Sequence, residues 1–97
     1  MQFIIIAHDY KDGLERRLRA REKHIQLGDK LVLAGKALYG VAILDNKGDM
    51  RGSVYVMEFP SREALDAWLQ EEPYVKEKVW EKIEVIPCKV GPSFTKI

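Results

Sequence analysis

The stretch Lys36–Phe59, KALYGVAILDNKGDMRGSVYVMEF, decides how the rest of the chain is arranged. Lys36 to Leu44 reads as a strand. Asp45-Asn46-Lys47-Gly48-Asp49 is dense in turn-forming residues, and Gly52 to Phe59 alternates in a segment rich in valine and aromatics. Two β-forming runs separated by such a turn pair as an antiparallel hairpin. Before the hairpin stands Phe3-Ile4-Ile5-Ile6-Ala7, a continuous β-branched run of the kind found in strands covered on both faces. From Leu14 to Leu27 the period changes, with Leu14, Leu18, Arg21 and Ile25 recurring at helical spacing. Asp12 is the expected N-cap, with Glu15 three residues on, and Gly28 and Gly35 bracket the expected exit.

After the hairpin, Pro60-Ser61 opens a second helix, with Ser61 as N-cap and Leu65, Trp68 and Leu69 on its apolar face. Glu71-Glu72-Pro73 interrupts it. Tyr74 to Trp80 is expected to add a helical turn or two, and Lys82 to Lys89 forms a last strand. The order β-α-β-β-α-β predicts a single α+β domain over residues 1–97, with a ferredoxin-like four-stranded antiparallel sheet and the helices on one face. The bare sheet face of so small a chain is expected to pack against a second copy, giving a homodimer.

Composition narrows the functional classes without choosing one. The 97 residues are 46% apolar and 32% charged, the balance of an ordinary globular protein. Sixteen basic against fifteen acidic residues leave a net charge of +1, which gives no electrostatic case for nucleic acid or a membrane surface. The Phe3–Ala7 run is far shorter than a membrane span and lacks the flanks of a signal peptide. One cysteine, Cys88, can form neither an internal disulfide nor a zinc site alone, so the chain reads as cytoplasmic, with no metal and no cofactor expected. Cys88 itself reads as a small hydrophobe. No phosphate-binding glycine loop, nucleophile elbow or dinucleotide fingerprint occurs.

The residues able to carry chemistry lie near the end of strand 1 and on helix 1. Asp9 is in phase with Phe3, Ile5 and Ala7, and His24 flanks the apolar stripe of the helix, so the two are expected to converge. A carboxylate on one imidazole nitrogen fixes the tautomer and raises the basicity of the other, the minimum equipment of a general acid–base. Arg21 falls within the stripe. It either pairs as a buried charge, binds an anionic ligand, or lays its stem on the sheet with its guanidinium in solvent. His8 alternates to the opposite strand face. Trp68, Tyr74 and Trp80 either line a flat apolar pocket or simply fill the core. Arg16, Arg17, Arg19 and Lys23, offset by Glu15 and Glu22, read as a solvated helix face.

The ordered set Ala7-His8-Asp9, Arg21-Glu22-Lys23-His24-Ile25, Ala34-Gly35, Gly52-Ser53, Glu58-Phe59, Glu72-Pro73-Tyr74-Val75 and Pro87 resembles the YCII-related family over nearly the whole chain. Lys36 stands where that family often has proline, Glu72 where aspartate is common, and Ile25 where leucine is usual. The resemblance implies a dimeric α+β barrel and an active site built on an Asp–His pair, falling here on Asp9 and His24. It also places Gly35 at the pocket edge; with Arg21 and Tyr74 it makes up the expected substrate-binding set. One branch of the family is linked to elimination of chloride from a product of chlorinated-aromatic breakdown. The expectation is a small cofactor-independent enzyme of lyase or isomerase type, acting on a small cyclic or carboxylated, possibly anionic, substrate. The alternatives are a non-catalytic small-molecule-binding or accessory module and, by analogy of fold, a cofactor-free monooxygenase.

Overall fold

The computed structural model describes residues 1–94. Strand β1 (Gln2–Asp9) is followed by helix α1 (Leu14–Leu33), the hairpin β2 (Ala37–Leu44) and β3 (Met50–Glu58), helices α2 (Arg62–Glu71) and α3 (Pro73–Lys76), and strand β4 (Trp80–Cys88). A 3-10 turn at Pro92–Phe94 ends the described chain. The sheet order is β2-β3-β1-β4, every neighbouring pair antiparallel, which is the expected α+β, ferredoxin-like arrangement.

Register fixes which side chains meet the helices. Phe3 lies opposite Met57 and Pro87, Ile5 opposite Tyr55 and Val85, and Ala7 opposite Ser53 and Ile83. Cross-strand partners share a face, so these residues form the inner surface of the sheet. Phe3, Ile5, Ala7 and Met57 are buried with Phe59, Leu65, Trp68, Tyr74, Val79 and Trp80 in one core. On β1 the alternate residues Ile4 and Ile6 are only half-buried, where the β-branched run suggested cover on both faces.

Helix α1 departs from expectation in three ways. It runs six residues beyond Leu27, through Gly28, to Leu33. A glycine inside a helix costs about 1 kcal/mol relative to alanine, and Leu27 and Leu31, packed on the core to either side, offset it. The helix then closes at Gly35, whose φ of 73° is the left-handed conformation a C-terminal cap requires. Lys36 N–H donates to Leu31 and Gly35 N–H to Val32, satisfying carbonyls the helix leaves open. At the other end the N-cap is Gly13, not Asp12, with no side-chain cap. Asp12 instead accepts from Arg16 one turn on.

The buried stripe of α1 is also rotated by about one residue from Leu14–Leu18–Arg21–Ile25. Arg17 and Ala20 are buried while Leu18, Arg21 and Ile25 are exposed. Arg17, Ala20, His24, Leu27 and Leu31, spaced by three and four, face the core. Ser61 caps α2 as expected, accepting from the Ala64 N–H at 3.1 Å. Glu72 caps α3 with Pro73 at the first turn, and β4 begins at Trp80, two residues earlier than expected. No described helix is long and apolar enough to cross a membrane.

Candidate active site

The alternation of β1 carries Asp9 to the inner face at the end of the strand, where its side chain is 1% exposed. The first inward turn of α1 sets Arg17 above it. Arg17 Nη1 donates to both carboxylate oxygens, at 3.1 and 3.0 Å, and Nη2 donates to Ser53 Oγ at 2.9 Å. Arg17 is itself 3% exposed, so two charges are sealed beneath the helix as a hydrogen-bonded pair. Burial pushes the Asp9 carboxyl above its ordinary value, against the pull of Arg17.

The Arg17 guanidinium lies over the Tyr74 ring, 4.8 Å from its centroid, and that ring stacks on His24 with centroids 3.9 Å apart. Tyr74 is held by the turn between α2 and α3: Glu72 leaves α2, Pro73 starts α3, and the Tyr74 N–H donates to Glu72 Oε1 at 3.2 Å. The same carboxylate oxygen bonds His24 Nδ1. Glu72 is 2% exposed, and a carboxylate sealed this far from water needs such partners.

His24 Nε2 bonds Tyr55 Oη at 2.8 Å. Burial pushes the Tyr55 phenol up to about 12, so it is neutral at ordinary pH. A carboxylate only accepts, so His24 carries a proton on Nδ1 toward Glu72. Nε2 then accepts the Tyr55 hydroxyl proton when the ring is neutral and donates to Tyr55 oxygen when it is charged. Glu72, His24 and Tyr55 thus form a continuous hydrogen-bonded chain from a buried carboxylate to a cavity wall. That cavity, about 210 Å³, lies between α1 and β2 and is lined by Arg17, Arg21, His24, Gly40, Tyr55 and Tyr74 among others.

Two expected placements change, those of Asp9 and Gly35, and one of the alternatives for Arg21 is removed. Asp9 does not bond His24; its carboxylate is taken by Arg17, and both imidazole nitrogens are taken by Glu72 and Tyr55. The carboxylate on His24 therefore comes from the turn before α3 and not from the end of β1. Arg21 is neither buried nor ion-paired among the described residues, and stands exposed on the cavity lining. Gly35 closes α1 and does not line the cavity.

Tyr74 is in the cavity wall, at the centre of the aromatic stack. Trp80 meets His24 edge-on at 6.3 Å between centroids, whereas Trp68 packs on Phe59 in the core. His8 is exposed on the other sheet face, and Cys88 is half-buried in β4. Among the described residues, no three His, Cys, Asp or Glu side chains gather as metal ligands would.

Sequence reasoning missed Arg17, Ser53, Glu72 and Tyr55. Arg17 was hidden in a basic cluster, although it stands seven residues before His24, two helical turns away on the same face. Glu72 carried a signal in its position before Pro73, where an acidic residue caps a new helix.

A ferredoxin-like fold with a buried carboxylate–imidazole–phenol chain opening on a small cavity is the class that fold and site define. The chain belongs to the YCII-related family, whose domain matches residues 1–89. It is 34% identical over 95 residues to the protein YciI of Escherichia coli, covering 92% of this chain and 97% of that one. It is 29% identical over 90 residues to the xenovulene A biosynthesis cluster protein asL2 of Sarocladium schorii, covering 89% and 77% of the two chains. Among solved structures, 5-chloro-2-hydroxyhydroquinone dehydrochlorinase (TftG) of Burkholderia phenoliruptrix, in complex with 2,5-dihydroxybenzoquinone, superposes with a TM-score of 0.84. That match has 23% identity and covers 96% of this chain and 98% of TftG, and it establishes the shared fold.

Proposed function

We propose that the chain is a small enzyme of lyase or isomerase type in which the Glu72–His24 pair moves a proton on a small oxygenated ring. The observation that carries this is His24 held between a sealed carboxylate and a phenol at a cavity wall. That arrangement fixes the imidazole's orientation and tautomer, which is what a general acid–base needs. The size of the cavity suits a single substituted ring, and the Tyr74–His24 stack offers a flat wall to lie against. Exposed Arg21 at the lining balances negative charge on such a ligand. Asp9 acts at one remove: by neutralising Arg17 it holds the cation against the Tyr74 ring, and Tyr74 holds His24.

TftG is named for removing chloride from a chlorinated hydroxyhydroquinone and is seen with a dihydroxybenzoquinone bound. By that likeness the reading extends to ring substrates bearing hydroxyl or keto oxygens. Elimination from such a ring removes a proton and a leaving group, and the Glu72–His24–Tyr55 chain at the cavity wall is the acceptor for the proton.

The working unit in this reading is a homodimer formed across the outer sheet face. Ile4, Tyr39, Val56 and Cys88 border an apolar groove of about 540 Å³ there, and Tyr39 and Val41 are 71% and 48% exposed. A contiguous apolar face of this kind is a protein-contact surface.

Chloride release from 5-chloro-2-hydroxyhydroquinone, with deuterium uptake from heavy water by dechlorinated hydroxyhydroquinone, tests the enzyme reading. Wild type should promote one or both, and His24→Gln should reduce either by about 100-fold or more. Ring binding with no turnover in wild type would leave a binding module instead.

A further inference from the structure

We infer that Tyr55 is the catalytic residue that meets the substrate, passing a proton between His24 Nε2 and an oxygen atom of the bound molecule, and that Gly40 is the positioning residue that seats it. This rests on the acid–base reading of Glu72 and His24 and goes beyond it by naming the atom that touches the ligand and the kind of atom it touches.

The geometry leaves His24 no free nitrogen. Nδ1 is bonded to Glu72 and Nε2 to Tyr55, and the ring faces are occupied by Tyr74 on one side and the edge of Trp80 nearby. Its side chain is 14% exposed. A molecule in the cavity therefore meets the imidazole's proton through the phenol that covers it. Tyr55 lines the same cavity and lies within hydrogen-bond reach of Nε2.

A hydroxyl can donate one proton while accepting another, so it can serve as a link in a relay. In one direction His24 begins charged. The Nε2–H bond breaks as a new Tyr55 O–H bond forms, and the original Tyr55 O–H bond breaks as a bond to the substrate oxygen forms. The electron pair of the first bond stays on Nε2, leaving neutral imidazole with Nδ1–H on Glu72, and an enolate or phenolate oxygen becomes a hydroxyl. The reverse sequence ionises a substrate hydroxyl. Tyr55 starts and ends neutral. Its elevated pKa of about 12 means that no free tyrosinate accumulates, so the two transfers are coupled. The partner atom in the ligand is then an oxygen, in a hydroxyl, enol or carbonyl group, rather than a carbon.

Gly40 is what lets the phenol reach. It lies directly opposite Tyr55 in the β2–β3 ladder. A Cβ at position 40 would stand 2.7 Å from both Cδ1 and Cε1 of the Tyr55 ring, well inside van der Waals contact. Trp80 and Trp68 pack beside that ring at 5.9 and 6.5 Å between centroids, so it has little room to shift away. The missing side chain is thus matched to a ring that lies across it, and any other residue would tilt the hydroxyl off Nε2.

The test uses the full chain, 2,5-dihydroxybenzoquinone as the probe, and the imidazole ¹⁵N spectrum of His24. Wild type, Tyr55→Phe, Gly40→Ala and His24→Gln are titrated with the probe by its visible absorbance. Loss of one hydrogen bond to a charged or strongly polarised oxygen should weaken binding by about tenfold in Tyr55→Phe and in Gly40→Ala. The His24 Nε2 resonance should shift in both variants while Nδ1 keeps its hydrogen-bonded position.

Equal probe affinity in wild type and Tyr55→Phe, with loss in His24→Gln, overturns the relay and leaves the acid–base reading standing. If the probe binds none of the four, the ring-ligand reading fails and the spectrum decides. An Nε2 resonance unmoved by Tyr55→Phe overturns the relay, and one moved by Tyr55→Phe but not by Gly40→Ala overturns the role of Gly40. Tyr55→Phe keeps the ring and its packing, so it remains decisive even where Gly40→Ala does not fold.

Discussion

Replacing Asp9 with asparagine should be among the most damaging conservative changes this chain can suffer. Asp9 and Arg17 are 1% and 3% exposed, and both carboxylate oxygens lie within 3.1 Å of one guanidinium nitrogen. Asparagine fills the same volume but leaves Arg17 as a buried charge with no counter-charge, and it turns an amide N–H toward donors. Breaking a buried pair from one side costs about 3–5 kcal/mol. A 97-residue chain has roughly 5–15 kcal/mol of stability in all, so the change removes a large share of it. Urea unfolding followed by tryptophan fluorescence measures this directly, since Trp68 and Trp80 sit in the core. Asp66→Asn supplies the control, because its pair with Arg62 is 52% exposed on both sides and should contribute below about 1 kcal/mol. The double variant Asp9→Asn/Arg17→Met removes both charges and should recover most of the loss. An Asp9→Asn cost no greater than that of Asp66→Asn would refute the claim that the pair is sealed.

Three further outcomes are expected. The Tyr55 phenol has an ordinary value of 10.0 raised to about 12 by burial, so the folded state favours its neutral form. That contribution, roughly 2–3 kcal/mol at 1.36 kcal/mol per unit, is full below pH 10.0 and lost as pH rises through about 12. Alkaline unfolding should therefore lose this component in Tyr55→Phe, and a wild-type-minus-variant absorbance titration should show one tyrosine ionising late. Gly35→Ala should cost about 1–2 kcal/mol in the same urea assay, because φ is +73° there and a Cβ is disfavoured although space is open. Val56→Asp, placed on the outer sheet face, should convert a species of twice 11.2 kDa into one of 11.2 kDa by sedimentation; wild type already sedimenting as one chain would remove the dimer.

The fold was legible because its signals are local. The turn Asp45–Asp49 between two β-forming runs set the hairpin, and the phase of Phe3, Ile5 and Ala7 set the inner face of β1. The site was legible only in part, and the reason lies in helix α1. Its inward face was assigned by following leucine and isoleucine, which chose Leu18 and Ile25, yet these are 54% and 40% exposed. The true inward face carries Arg17 and His24; a count of apolar side chains sends Arg17 outward and leaves His24 on the flank. They can face inward because their partners come from elsewhere: Ser53 is 36 residues from Arg17, and Glu72 is 48 residues from His24. No rule of helical or strand spacing reaches across such separations.

That failure is itself informative about where function lies. A helix ordinarily buries apolar side chains, because a charge beneath it must find a partner that replaces water. Here α1 buries one ion pair and one carboxylate–imidazole pair side by side, joined through the Tyr74 ring. Packed hydrocarbon of equal volume would hold the helix down as well or better, so stability alone does not account for two such pairs. Local rules give way in real proteins chiefly where a site must be held ready, and the break in α1 falls at the turns that face the cavity. Glu72 reaches the same histidine that the sequence singled out. The residue that sequence reasoning assigned to that histidine, Asp9, instead balances the Arg17 cation. The two carboxylates thus have separate partners: one neutralises Arg17 beneath the helix, and the other orients the His24 imidazole, which in the proposed reaction moves the proton.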